Sequence, residues 1–194
     1  DSSMIVVVGH GFGGTLAHRI AKASDGVFSA VIMVGSTALS YEDYLLGHSN
    51  LSSHTADELK AYQDTLDKLS KMKEQTALEN TETVLGHSVY YFWELQKTNN
   101  YELIRKLRLP TYIVQGKKDP LVPENEGWRQ YNNKIGEGVK YVTYRSFPGL
   151  NHVLMSDSST DAYGLPQYTE NATLDISAGR SIGQWILSLK STAE

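Results

Sequence analysis

The feature that most constrains this chain is a glycine-rich turn between an apolar run and an amphipathic segment. The run Met4-Ile5-Val6-Val7-Val8 leads into Gly9-His10-Gly11-Phe12-Gly13-Gly14 and then into a helical pattern over 13–23. Five consecutive apolar residues predict a strand that is buried on both faces, which needs strands beside it and helices above and below it. The glycines permit a sharp turn from strand to helix. This unit predicts an α/β protein with a mostly parallel sheet and flanking helices.

The alternation of strand and helix continues along most of the chain and gives no sign of a second independent domain, so we interpret 1–194 as a single α/β domain portion. A stretch rich in Ser, Asp, Thr and Gly at 156–172 predicts a long loop. Apolar runs and helical spacings predict the remaining elements: strands at 28–34, 111–115 and 139–146, and helices near 124–135 and 174–190.

Residues 41–107 interrupt this alternation because they lack strand character. Within them, Thr55-Ala56-Asp57-Glu58 matches a capping box, and the apolar residues behind it recur every three or four positions, so a helix is predicted to begin there. We expect 41–107 to form a helical insertion. It is either a lid over a site or a buried structural subdomain, and its place between two sheet strands favours the lid.

Composition excludes several classes of function. The 18 Lys and Arg against 22 Asp and Glu give a net charge of -4 without long like-charge blocks, so no nucleic-acid partner is expected. No apolar stretch reaches the roughly 18–20 residues of a membrane span, so no membrane partner is expected. The chain has no Cys, which excludes disulfides and a Cys nucleophile, and its His residues lack metal-ligand spacing. We therefore expect no cofactor and no metal.

The glycine-rich turn fits two different chemistries. Gly9, Gly11 and Gly14 satisfy the G-x-G-x-x-G dinucleotide fingerprint. The same turn fits the nucleophile elbow G-x-S-x-G, in which Gly9 and Gly13 would be the small residues that the sharp turn requires and Gly11 would hold the nucleophile position. A dinucleotide fold also needs a carboxylate after its second strand to bind the ribose, and Met33-Val34-Gly35-Ser36-Thr37 has none. The elbow is favoured, and dinucleotide binding is the weaker alternative.

An acid and a histidine follow the elbow in the order that a hydrolase triad requires. Asp119 follows the predicted strand at 111–115, and His152 follows the predicted strand at 139–146. In such a triad the carboxylate orients the imidazole, which takes the proton of the nucleophile. Taken singly, Asp119 is explained as a turn residue before Pro120 and His152 as a capping or core histidine. Their common placement after strands, in the right order, favours the triad.

These segments together resemble the α/β-hydrolase superfamily, and most closely the branch of prolyl oligopeptidases and dienelactone hydrolases. The resemblance covers nearly the whole chain but only the C-terminal half to two-thirds of the family's domain, so the strand at 4–8 would be the fifth of eight. It implies a serine esterase or peptidase acting on a small-molecule ester or peptide, with Asp119 as acid, His152 as base and the Phe12 N–H as an oxyanion donor. The segments that carry it are Gly9 to Gly14, Gln115 to Pro123 and Phe147 to His152.

Gly11 departs from this family pattern because it stands where the family has Ser. Glycine has no side-chain oxygen, so no acyl-enzyme can form, and the resemblance places the second oxyanion donor upstream of Asp1. We therefore expect negligible hydrolysis, whether Gly11 is an engineered change or a natural loss in a pseudoenzyme. The alternative is a non-catalytic binding or interaction module on the same scaffold.

The strand at 4–8 also predicts a partner. If the preceding strands of the family lie outside this chain, Ile5 to Val8 becomes an uncharged, apolar sheet edge. Such edges pair readily with other strands. We expect self-association through 4–8, or pairing of this strand with a separate upstream part.

Overall fold

A computed structural model describes residues 4–40, 43–44, 55–84, 86–96, 99–156, 173 and 175–190. The predicted loop at 156–172 lies almost entirely outside these residues, as do parts of the predicted insertion at 41–54. The strands and helices run in the order β1 Val6–His10, α1 Phe12–Ala23, β2 Ala30–Val34, α2 Ala56–Leu69, α3 Glu74–Glu79, β3 Thr83–Val84, β4 His87–Ser88, α4 Val89–Gln96, α5 Asn100–Leu107, β5 Thr111–Gly116, α6 Trp128–Ile135, β6 Val142–Phe147 and α7 Ile176–Lys190.

Four strands form a parallel sheet in the order β1-β2-β5-β6. Every residue of β2 and β5 is buried, as expected for central strands that are covered on both faces. The predicted α/β class and mostly parallel sheet are therefore confirmed. The first strand is displaced from the predicted 4–8, because Gly9 and His10 pair with Met33 and Val34 of β2 and keep the backbone extended up to Gly11.

Side chains that alternate along β2 divide the core of the sheet into two layers, because successive residues of a strand point to opposite faces. On one face, Val31 and Met33 pack with α1, α5 and α6. On the other face, Ile32 and Val34 pack with α7, where Trp185 stacks on another strand residue, Tyr112, with 5.0 Å between ring centroids. The helices thus flank the sheet on both sides.

The chain divides into two compact units, Asp1–Ala38 with Asn100–Glu194, and Leu39–Asn99. The second unit has a core of its own, built from α2, α3 and α4 around Tyr62 and Phe92. The predicted capping box is present, since the Glu58 N–H donates to Thr55 Oγ1 and the Thr55 N–H donates to Glu58 Oε2 at 2.7 Å. Helix α5 packs in the sheet unit, and the insertion over 41–107 stays a prediction. The role of this helical unit as a lid stays a prediction.

Strand β1 has a partner on one side only among the described strands. Two apolar side chains near this edge are open to solvent, with Ile5 42% and Val8 60% exposed. Pairing of this edge with a second chain stays a prediction. Among the described residues, no helix combines the length and the apolar character that crossing a membrane requires.

Candidate active site

The turn from β1 to α1 is made by one residue, Gly11, since β1 ends at His10 and α1 begins at Phe12. Gly11 has φ 55° and ψ -126°, a positive-φ conformation that glycine adopts without the steric penalty of a Cβ. Its N–H donates to the carbonyl of Val34 at 2.8 Å, and its carbonyl accepts from the Gly14 N–H at 3.1 Å. The neighbouring strand and the first helical turn therefore hold this bend in place.

Two further glycines are required by close packing around the bend. A Cβ on Gly9 would overlap the carbonyl of Gly13, and a Cβ on Gly14 would overlap the hydroxyl of Ser36. Ser36 follows β2 and donates to the carbonyl of Gly11 at 3.0 Å. The prediction that Gly13 must be small was wrong, because a Cβ there would meet nothing within 4 Å.

The acid and the histidine predicted from the sequence form a hydrogen-bonded pair. His152 Nδ1 lies 2.8 Å from Asp119 Oδ2, and the two residues are only 7% and 6% exposed. The other carboxylate oxygen accepts the N–H groups of Leu121 and Val122, each at 2.9 Å. Three N–H donors thus stabilise the negative charge of Asp119. The imidazole therefore donates through Nδ1 and presents Nε2 on its far side.

Nε2 of His152 faces the bend at Gly11. An ideal Cβ built on Gly11 would lie 3.3 Å from Nε2 and 3.7 Å from Cε1. A second glycine leaves room for the ring. A Cβ on Gly35, which has φ +56°, would lie 3.0 Å from Nδ1. Sequence reasoning missed the part played by Gly35, although a glycine directly after a fully buried strand was an available signal.

Three of the predicted site residues therefore meet in space. Gly11, Asp119 and His152 come from three loops that follow parallel strands, so their loops lie at the same edge of the sheet. Phe12, the predicted oxyanion donor, is the first residue of α1 and directly follows the bend. The arrangement places an oriented imidazole above the position from which an elbow nucleophile would project. The oxyanion role of Phe12 stays a prediction.

Comparisons with known proteins find proteins of similar sequence and fold. The chain is 24% identical over 196 residues to esterase EstD of Thermotoga maritima, a match that covers 96% of this chain and 43% of that protein. It thus spans less than half the length of this curated relative. Among solved structures it is similar to a monoacylglycerol lipase of Paleococcus ferrophilus, with a TM-score of 0.50 and 17% identity over 95% of this chain and 68% of the lipase. Another similar structure is an esterase domain from a Rhodothermus marinus protein, with a TM-score of 0.47 and 15% identity over 79% of this chain and 54% of that one. No protein-family model matches.

The strand order and the likeness to the lipase structure decide the fold. The chain has the α/β-hydrolase fold. Within this fold, β1 precedes the bend at Gly11, β5 precedes the acid and β6 precedes the histidine.

Backbone hydrogen bonds join the two loops that carry Asp119 and His152. The N–H of Lys117 donates to the carbonyl of Phe147, and the N–H of Lys118 donates to the carbonyl of Leu150, both at 2.9 Å. The loops approach so closely that a Cβ on Gly116 would overlap the Leu150 carbonyl. These contacts fix the position of Asp119 relative to His152.

Two side chains hold the backbone around His152. Asn151 is buried, and its Oδ1 accepts the N–H groups of Val153 at 3.1 Å and Met155 at 3.0 Å, which closes the turn at His152. His10 donates from Nε2 to the carbonyl of His152 at 3.0 Å, and the two rings meet edge to face at 4.5 Å between centroids. His10, the residue before the bend, thus holds the backbone of His152 close to the bend.

Gln115 is a further residue of this site that sequence reasoning missed. It is 1% exposed, its Nε2 donates to the carbonyl of Val122, and its Oε1 accepts the N–H of Trp128 at 2.9 Å. Because the N–H of Val122 binds Asp119, the amide of Gln115 holds the loop that carries the acid. A polar side chain at the end of an apolar, buried strand was the signal that could have found it.

His18 is a buried histidine outside the site. Its Nε2 lies 2.9 Å from Thr111 Oγ1, which donates its own proton to the carbonyl of Leu109, so His18 is the donor of that pair. Its Nδ1 has no partner among the described residues. Burial lowers the pKa of His18 to about 4. His18 binds Thr111, the first residue of β5, whereas Asp119 follows the last residue of this strand. His18 therefore lies at the amino end of β5, and the site lies at its carboxyl end.

A metal centre finds no support in the described part of the chain, where no three His, Asp or Glu side chains are grouped closely enough to hold an ion. The chemistry that the arrangement can perform is proton transfer by His152, oriented and electrostatically supported by Asp119.

Proposed function

We propose that the chain carries the acid–base part of an esterase-like serine hydrolase site, in which Gly11 occupies the position of the nucleophile. The observation that carries this proposal is that a side chain at position 11 would point at His152. A Cβ there would lie 3.3 Å from Nε2 of this imidazole, whose Nδ1 is bound to Asp119. The segments Gln115 to Pro123 and Phe147 to His152, which carry the acid and the base, also support the branch of prolyl oligopeptidases and dienelactone hydrolases. Likeness to a protein named as an esterase favours an ester over a peptide substrate.

The roles of the residues follow from the geometry. With a serine at position 11, His152 would take the hydroxyl proton at Nε2 while the oxygen attacks the ester carbonyl. Asp119 would hold the imidazole in the tautomer that accepts this proton and would stabilise the resulting imidazolium. The N–H of Phe12, which starts α1, would donate to the oxyanion. With Gly11 the attacking oxygen is missing, so we expect no acyl-enzyme from the chain as it stands.

The test is the variant Gly11→Ser treated with a fluorophosphonate. In the expected reaction an Oγ–P bond forms, the P–F bond breaks, fluoride leaves and the hydroxyl proton goes to Nε2. Mass spectrometry should locate the label at position 11. Serine at a positive φ costs about 1–3 kcal/mol, so circular dichroism must accompany the labelling.

The controls are Gly11→Ala, which adds the Cβ without an oxygen, and the double variant Gly11→Ser with His152→Ala. Neither should be labelled. A folded Gly11→Ser protein that reacts no faster than the double variant would contradict the proposal.

A second candidate is a non-catalytic binding module, and one observation favours it. The Asp119–His152 pair is complete and buried while position 11 has no side chain. If the scaffold binds rather than reacts, the ligand must be one that this pair and the bend recognise together.

A further inference from the structure

The bend at Gly11 is fastened on both sides by the end of β2 and the residues that follow it. The N–H of Gly11 donates to the carbonyl of Val34 at 2.8 Å, and the carbonyl of Gly11 accepts the hydroxyl of Ser36 at 3.0 Å. These contacts belong to different peptide groups, because the N–H lies in the peptide before Gly11 and the carbonyl in the peptide after it. Together they restrict both backbone torsions of a residue that would otherwise have the widest freedom.

The surroundings of Ser36 direct its hydroxyl to the Gly11 carbonyl. Ser36 is 2% exposed, so water has little access to the hydroxyl. The carbonyl of Val34 is farther away, at 3.4 Å, and already accepts the Gly11 N–H. The hydroxyl oxygen also packs against Gly14, where an added Cβ would overlap it. Ser36 is therefore confined to the position from which it donates to the bend.

The peptide that Ser36 holds is the one that carries the N–H of Phe12. The peptide between Gly11 and Phe12 is trans. In a trans peptide the carbonyl and the N–H lie in one rigid plane and point in opposite directions. A hydrogen bond to the Gly11 carbonyl therefore sets the direction of the Phe12 N–H. Phe12 is the first residue of α1, and the N–H groups of the first helical turn point outward from the helix.

We propose that Ser36 is a positioning residue of the site, which acts by aiming the Phe12 N–H at the oxyanion. This inference rests on the proposed function, in which that N–H stabilises the charge that develops on the substrate oxygen. An oxyanion donor must lie about 2.7–3.1 Å from this oxygen, so rotation of the peptide plane weakens the contact even though the N–H is still present. The hydrogen bonds described above for Asp119 and His152 do not involve Ser36, so the base should keep its orientation without it.

The experiment compares fluorophosphonate labelling of Gly11→Ser with labelling of the double variant Gly11→Ser with Ser36→Ala. We expect the limiting rate of labelling to fall between about tenfold and a hundredfold, because a misdirected donor no longer stabilises the transition state. The half-saturating concentration should change less than about twofold, because the charge on the phosphoryl oxygen develops only after binding. The proton NMR signal of His152 Nδ1–H should stay in place. A purely structural loss would lower the labelled fraction and leave the limiting rate unchanged.

Thr37→Val is the matched control. Thr37 is 6% exposed, and its hydroxyl donates to the carbonyl of Glu126 at 3.1 Å. The control thus also removes one buried hydroxyl-to-carbonyl hydrogen bond, at the next residue but away from the bend. In the Gly11→Ser background it should change the limiting rate less than about twofold.

Gly14→Ala breaks the same contact from the other side and covers the case that Ser36→Ala fails to fold. Its Cβ would overlap the Ser36 hydroxyl and displace it from the Gly11 carbonyl, although the hydroxyl is still present. The limiting rate should fall here as well. Because both changes act on one contact, their combination should lower the rate no more than the larger single effect.

The parent chain tests the hydrogen bond without any reaction. The carbonyl ¹³C resonance of Gly11 and the amide resonance of Phe12 belong to the peptide that Ser36 holds. Both should shift in Ser36→Ala and stay in place in Thr37→Val.

The inference would be overturned by a Gly11 carbonyl resonance that Ser36→Ala leaves unchanged, by equal limiting rates with and without the Ser36 hydroxyl, or by an equal loss of rate in Thr37→Val. Loss of the His152 Nδ1–H signal in Ser36→Ala would also overturn it, since Ser36 would then act through the base. Labelling of Gly11→Ser that is independent of Ser36 overturns only this inference. A folded Gly11→Ser protein that is not labelled overturns the proposed function, and the resonances of the parent chain then decide whether Ser36 holds the peptide.

Discussion

Lowering the pH from 7 to 4 should destabilise the folded chain, and the buried imidazole of His18 accounts for a defined part of that loss. Burial lowers the pKa of His18 from 6.5 to about 4 in the folded chain. As the pH falls below 6.5, His18 therefore binds a proton in the unfolded chain but stays neutral in the folded chain. The loss of stability begins near pH 6.5 and is complete near pH 4. The shift in the pKa of His18 corresponds to a loss of about 3 kcal/mol in the free energy of unfolding.

The assay is urea unfolding followed by circular dichroism at several pH values between 4 and 8, on the parent chain and on His18→Gln. Carboxyl groups contribute equally to both proteins, so the difference between their pH profiles isolates His18. The parent should lose about 3 kcal/mol more than the variant between pH 7 and 4. His87→Gln, the same change at an exposed histidine, is the matched control for the substitution itself. Parallel profiles for the parent and His18→Gln would refute the reasoning.

Other changes test the packing that positions the site. Replacing Gln115 by Met leaves the buried carbonyl of Val122 and the partly buried N–H of Trp128 without their side-chain partner, so the free energy of unfolding should fall by about 3 kcal/mol. The His152 Nδ1–H signal in proton NMR should also broaden, whereas a purely structural loss would leave it sharp in the folded fraction. Gly14→Ala places a carbon on the Ser36 hydroxyl and should cost about 1–3 kcal/mol in urea unfolding. The matched change Gly13→Ala has open space and should stabilise α1 by up to about 1 kcal/mol, and equal effects of the two changes would contradict the packing argument. Thr55→Ala removes the capping box and should lower the free energy of unfolding of the helical unit by about 1 kcal/mol, which thermal unfolding would show as a lower midpoint.

The orientation of His152 does not depend on a side chain at position 11. Asp119 and His152 are held by hydrogen bonds between their own loops and by Gln115, and none of these contacts involves a side chain at position 11. Loss of a serine oxygen at the bend would leave this support in place.

Local patterns in the sequence were sufficient for the bend and for one helix cap. The bend at Gly11 and the capping box at Thr55 are each decided within a few residues, because turn and cap geometry involve only adjacent backbone groups. The order of bend, acid and base along the chain likewise needed no coordinates, since parallel strands bring their carboxyl ends to one edge.

The tertiary structure decided which residues touch. It showed that Gly14 rather than Gly13 must lack a side chain, because Ser36 packs there from the end of another strand. It also placed Gln115 under the acid loop and Gly35 behind the imidazole. Contacts of this kind depend on strand register and on the depth at which loops pack, and neither is recorded in the local spacing of residues.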